Sequence, residues 1–308
     1  MLGEVAALGA AFSWAGSSYC YERFGRSATP VALTAFKNAL GAGLFLLGCL
    51  LTKTIWPSSS RSSMLIASAG LLGFGLGDPL FFFSMKHLGV QLACTLQCTA
   101  PFIAALLARG ILRESLSFLQ FVGMGIAGVA VWLSIRNPTT VASPVSATTG
   151  ASGGQHASAK RWWAVLWGLA AATCYAGSTV LLRAHVGQTS AVAVNLLQLL
   201  PPLIALGILM HIRRRRDPAS PGWEFLRDSN QASGLSTAVV LGTVIGLFLQ
   251  SESLRLTSAA VSSALGNTYP LWLSLAVSWK SASRRQLRYS ALAVVGVILL
   301  TLGRSPIH

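Results

Sequence analysis

The sequence predicts an all-α integral membrane protein of about ten transmembrane helices, arranged as two inverted five-helix repeats. Three observations carry that prediction. Hydrophobic residues make up 53% of the 308 and charged residues only 10%, with a mean hydropathy of +0.61, whereas about a quarter of the residues of a soluble domain are charged. Stretches such as 31–52 and 289–303 are almost free of charge all round instead of along one stripe, as a segment surrounded by lipid must be. Finally, the second half of the chain echoes the first. Gly77 and Gly246 are separated by the same 169 positions as Pro101 and Pro270, with Lys86 falling on Arg255 and Thr99 on Thr268. A constant offset over a whole helix pair marks a duplication. Within a bilayer each segment must satisfy its own backbone, which selects helices.

The first apolar segment, 4–21, has the look of a secretory leader but lacks a basic start. Its Ala15-Gly16-Ser17-Ser18 also matches Ala176-Gly177-Ser178-Thr179 at an offset of 161, so it reads as part of the fold. Trp14 lies mid-span, away from any interfacial belt, and its indole N–H requires a partner there. The second span, 30–52, contains Lys37 too deep for easy escape to water, although its stem can snorkel. The repeat counterpart of Lys37 is Gln198.

The third span, 63–84, runs through Gly75-Leu76-Gly77-Asp78-Pro79. Asp favours the N-cap and Pro the first helical position, so this string predicts an interrupted helix that restarts at Asp78. An ionised Asp at that depth costs about 2.5–3.5 kcal/mol and should face a cavity or a cation. Lys37 is the best counter-charge. Structural alternatives stand beside both readings: a purely capping Asp and a snorkelling Lys. The GxGD string also resembles half of an intramembrane aspartyl protease signature, but that chemistry needs a second buried carboxylate. The other Asp residues, Asp217 and Asp228, fall in a polar loop, so an enzyme is not expected.

Spans four and five are placed at 88–109 and 117–135. Glycines such as Gly123, Gly125 and Gly128 permit close helix approach. Residues 137–160 are rich in Ser, Thr, Ala and Gly without apolar periodicity and read as a flexible linker between a first repeat, 1–136, and a second, 161–308. The second repeat supplies spans at 162–182, 190–211, 233–252, 257–279 and 288–303. An odd number of helices per repeat forces the halves into opposite orientation, the plan of many secondary transporters.

In spans four and nine, Gln97, Cys98 and Thr99 precede Pro101, while Asn267, Thr268 and Tyr269 precede Pro270. Proline removes a helical hydrogen bond and frees a carbonyl beside these polar groups. Together with Trp14, Lys37, Asp78 and Gln198, the residues Gln97, Thr99, Asn267, Thr268 and Tyr269 form the candidate substrate-binding set. Hydrogen bonding between helices without a ligand is the alternative.

No nucleotide loop, zinc-protease helix or Ser/His/Asp arrangement occurs, and no cofactor or metal is expected. Five Cys lie in apolar segments and read as small core residues. The net charge of +15 sits at helix ends and in loops, so anionic lipid headgroups, not nucleic acid, are the expected counter-charge.

The combination of Ser13-Trp14-Ala15-Gly16, Phe36-Lys37-Asn38-Ala39, Met85-Lys86-His87-Leu88, Pro101-Phe102, Arg113-Glu114-Ser115-Leu116 and Gly123 to Gly128 resembles the EamA type of the drug/metabolite transporter superfamily over nearly all of 2–303. The resemblance implies a basket of helices that exports or exchanges small polar metabolites across the plasma membrane, the first four helices of each half lining the cavity. One feature departs from the family: the acidic residue after the fourth helix is present as Glu114, but its second-half equivalent is missing from Ser281-Ala282-Ser283-Arg284-Arg285. The family's usual orientation places both termini in the cytoplasm. Of the 23 Lys and Arg, however, seven lie on that side and fifteen opposite, and positive charge favours the cytoplasm. The expected function is gradient-driven export or exchange by alternating access, with proton coupling through Asp78 as a further expectation. A non-transporting receptor or assembly subunit is the competing class.

Overall fold

A computed structural model of the chain describes residues 2–112, 117–136, 154–183, 189–217, 223–256, 262, 265–278 and 284–302. The described elements are α1 Leu2–Phe24, α2 Pro30–Leu51, α3 Ser60–Leu88, α4 Val90–Gln97, α5 Ala100–Leu112, α6 Phe118–Arg136, α7 Gly154–Arg183, α8 Ala191–Arg216, α9 Ser229–Leu256, α10 Tyr269–Ser278 and α11 Arg284–Leu302, with a short 3₁₀ turn at Glu224–Arg227. There is no strand among the described residues. Among the described residues six segments are long and apolar enough to cross a membrane, namely Pro30–Leu51, Ser60–Leu88, Val90–Leu107, Arg161–Leu182, Ala191–Arg216 and Ser229–Leu256; Phe121–Arg136 and Leu287–Leu299 are shorter apolar helices. The chain is a multi-pass membrane protein. Its exposed large side chains, among them Phe12, Leu50, Trp132, Trp162 and Trp163, suit a lipid surround.

Local signals set several of the boundaries. Thr29 caps α2 by accepting from the Ala32 N–H at 3.2 Å, with Pro30 in the first turn; Ser59 caps α3 from Ser62 and Asp228 caps α9 from Asn230. Between α3 and α4, Gly89 adopts φ +82°, a conformation open to glycine at no steric cost. The third span therefore runs to Leu88 instead of 84. The fourth is split: Cys98 and Thr99 N–H groups turn back to Thr95 and Leu96 at 3.1 Å before Pro101, a tightening that copes with the missing proline donor.

The stretch read as a linker over 137–160 is partly helical, because α7 starts at Gly154; residues 137–153 lie outside the described residues. The guanidinium of Arg161 donates to the Ile135 carbonyl near the end of α6, which ties the two helices together across that connection. Glu114 and Ser281 to Ser283, which carry the departure from the family pattern, also lie outside the described residues.

The core is built by exchange between halves. Helix α1 lies antiparallel on α9, with Gly9 beside Leu249 and Phe24 against Gly234, while α7 lies on α3 with Gly168 against Ser84 and Gly177 against Leu72. Small residues on α1 (Gly3, Ala7, Ala10, Ala11 and Ala15) are buried in this contact, which lets the backbones approach closely. Helices α2 and α8 pack together, as do α6 and α11.

The restart expected at Asp78 does not occur. Helix α3 passes from Ser60–Gly70 through a π-helical stretch, Leu71–Gly77, into Asp78–Leu88 without a break, and Asp78 has helical φ −64° and ψ −47°. The Asp78 N–H bonds to Gly73 O, five residues back. In that register the donor missing at Pro79 belongs to Phe74 O, and the Asn38 side chain donates to this carbonyl at 3.4 Å. A widened turn and a neighbouring amide thus absorb the proline. The same length of π-helix, Val240–Gly246, recurs in α9, 169 residues on.

Candidate functional site

The two π-helical stretches face each other's first helices and build the site. Ser17 Oγ on α1 donates to Ala238 O on α9 at 2.7 Å, and Ser178 Oγ on α7 donates to Ala69 O on α3 at the same distance. These bonds are counterparts under the two sequence offsets. Close to them the correspondence breaks at Trp14 and Tyr175. Trp14 Nε1 donates to Gly242 O at 3.0 Å, supplying the partner its depth requires, whereas its counterpart Tyr175 donates its hydroxyl to Asp78 Oδ1 at 2.6 Å.

Asp78 Oδ2 in turn pairs with Lys37 Nζ at 2.6 Å, and both side chains are more than nine-tenths buried. The ammonium also sits 4.5 Å from the centroid of the Phe74 ring, whose face attracts a cation. Lys37 comes from α2, Asp78 from the turn after the π-helix of α3, and Tyr175 from α7. The carboxylate is held by a cation and a phenol, which supply the charge and hydrogen bonds that lipid would deny it. Replacing Tyr175 by Phe is expected to lower stability by about 1.5–3 kcal/mol, the worth of a hydrogen bond to a charged group. Thermal unfolding of the purified variant checks this.

These three residues line a cavity of about 320 Å³ between the halves. Its walls combine Trp14, Phe74, Phe81 and Tyr269 with a polar set, Gln97, Asn195, Gln198, Gln250 and Asn267. Toward the end where α7 and α9 finish, the lining reaches Leu182 and Leu254. The opposite end is filled by the largest apolar cluster, including Tyr21, Phe82, Met85, Phe225 and Leu235. There Glu22 accepts from the Val90 N–H at 3.0 Å, and Lys86 donates to the carbonyls of Arg26 and Ala28.

Of the residues expected from sequence, Trp14, Lys37, Asp78, Gln97, Gln198, Asn267 and Tyr269 line this one cavity. Thr99 and Thr268 do not. Their hydroxyls turn back to Leu96 O at 2.7 Å and Leu265 O at 2.6 Å, carbonyls that also accept from the Thr99 and Thr268 N–H groups. Sequence reasoning missed Tyr175, Asn195, Gln250 and Ser251. Tyr175 carried a usable signal, its offset of 161 from Trp14. Asn195 and Ser251, joined by a 3.3 Å hydrogen bond, carried none, because their counterparts are Thr34 and Phe82.

Comparison with known proteins agrees with this architecture. No curated protein matches the chain. A solved structure described only as the crystal structure of a protein is similar at 15% sequence identity and a TM-score of 0.61, over 97% of this chain and 96% of its own; at that identity the likeness is one of fold alone. The sequence profile of the EamA-like transporter family matches residues 1–136 and 162–302. A polar cavity inside a multi-pass helical protein and a match across nearly the whole chain converge, and the chain belongs to the EamA-like transporter family, a branch of the drug/metabolite transporter superfamily.

Proposed function

We propose that this protein is a secondary transporter of the plasma membrane that moves a small polar metabolite by alternating access between two inverted five-helix halves, in gradient-driven export or exchange. The observation that carries this reading is the cavity itself: a buried Lys37–Asp78–Tyr175 cluster and several side-chain amides surround about 320 Å³ between elements of both halves. A purely structural bundle would fill such a space with apolar side chains, because buried polar groups are costly without partners. Membership of a transporter family supports the reading further. A comparison of metabolites released by expressing and non-expressing cells tests it. Selective release of one solute is the expected result, and identical profiles would count against transport.

Proton coupling through Asp78 is part of the proposal. A carboxylate paired with a nearby ammonium changes the net charge of the cavity when it takes up a proton, and the Lys37 pair would then release. In proteoliposomes, Asp78→Asn is expected to abolish the dependence of flux on an imposed pH gradient. Unchanged dependence in the variant would remove Asp78 as the coupling group.

A further inference from the structure

Building on the transporter reading, we infer that the cavity is specific for an uncharged solute bearing amide-type donors and acceptors, a carboxamide, lactam or ureide, and that it discriminates against ions of either sign. The first observation is that the cavity's charges are already engaged. Lys37 Nζ is paired with Asp78 Oδ2 at 2.6 Å and Asp78 Oδ1 receives the Tyr175 hydroxyl at 2.6 Å. An anion seated on Lys37 would leave the buried Asp78 facing a second negative charge. A cation seated on Asp78 would do the same to Lys37. In a site of low dielectric both exchanges are unfavourable.

The second observation concerns four amides. Gln97 donates to Gly168 O at 3.2 Å, yet its Oε1 has no partner. Asn195 accepts from Ser251 at 3.3 Å, but its Nδ2 has none. Gln250 donates to Ser262 at 3.1 Å, leaving its Oε1 open, and Gln198 Nε2 is open as well. Gln97, Asn195 and Gln198 are only 4%, 1% and 3% exposed, and all four line the cavity.

Native structures rarely leave such groups unsatisfied. Here they combine two open donors from α8 with two open acceptors from α4 and α9. Because the set has no net charge and offers both hydrogen-bonding senses, it complements a ligand group that also carries a donor and an acceptor side by side. Trp14, Tyr269 and Phe74 supply the apolar faces against which the rest of a planar solute would lie. An ion of matching shape would leave part of this set unpaired, and sites built on hydrogen bonds reject analogues that lack them.

Three near-isosteric probes, benzamide, benzoate and benzamidine as its cation, and the larger zwitterion phenylglycine test the inference on the purified full-length protein. The readout is the concentration of each at which the thermal unfolding midpoint rises. Benzamide is expected to act at a concentration at least about tenfold below the other three, the scale set by one misplaced polar group. The double variant Asn195→Leu with Gln198→Leu is expected to melt normally without ligand and to lose about tenfold in response to benzamide. A lower effective concentration for benzoate, benzamidine or phenylglycine would overturn the inference, as would the absence of any shift with all four. Counterflow in proteoliposomes separates this inference from the transporter reading. Benzamide that binds but is not exchanged keeps the ligand class and removes transport, whereas exchange of phenylglycine without response to benzamide keeps transport and removes the class.

Discussion

Replacing Lys37 by Met is expected to destabilise the protein by about 3–5 kcal/mol, the cost of stranding a buried charge, and to abolish transport. The variant keeps an unbranched stem one atom shorter but leaves Asp78 with the Tyr175 hydroxyl and no ammonium. That single hydrogen bond does not replace an ammonium 2.6 Å away. Combining Lys37→Met with Asp78→Asn is expected to recover most of the loss, because removing both charges of a buried pair is far milder than removing one. The Asn carbonyl also still accepts from Tyr175. Thermal unfolding of the purified single and double variants checks this, and equal destabilisation in the two would show that the pair is not what holds Asp78.

The second large effect is expected at Gly242. A side chain there would run into Ser17, whose Cβ lies only 2.6 Å from where the new Cβ would stand. Ser17 cannot yield freely, since its hydroxyl is bonded to Ala238 O at 2.7 Å and the neighbouring Trp14 to Gly242 O at 3.0 Å. Gly242→Leu is therefore expected to cost about 1–3 kcal/mol through overpacking, with the two cross-half hydrogen bonds lost in addition. Gly43 supplies the control, because a Cβ there meets nothing within 4 Å. Gly43→Ala should leave the melting temperature unchanged or slightly raised, since alanine is the better helix former. Similar losses at both positions would mean that close approach of α1 and α9 does not anchor the fold.

Much of this arrangement was legible in the sequence, and the reasons differ from residue to residue. Lys37 and Asp78 were readable as partners because a charge in a long apolar run needs a counter-charge, and the chain offers few candidates. Trp14 was readable because an indole N–H mid-span must donate to something. By contrast, Asp78-Pro79 carries the marks of a helix start, yet α3 continues through it. The carbonyl that the proline leaves open, Phe74 O, is met by Asn38 from another helix, a tertiary contact with no local signature. Thr99 and Thr268 lie outside the cavity lining for a related reason. Residue type beside a proline does not say whether a hydroxyl will fold back onto its own turn or face the cavity. Tyr175 was readable only as the residue 161 positions after Trp14, and its partner differs in kind, a carboxylate where Trp14 has a backbone carbonyl.

The most direct test of the proposed role is solute flux through the cavity in a purified system. Wild-type protein and an Asn195→Trp variant, designed to place an indole in the cavity beside Gln198 and Ser251, are reconstituted into liposomes preloaded with the solute identified by metabolite profiling. The account predicts that wild type equilibrates the solute while the variant, melting within a few degrees of wild type, does not. Equal flux through both proteins, or none through wild type, would contradict it.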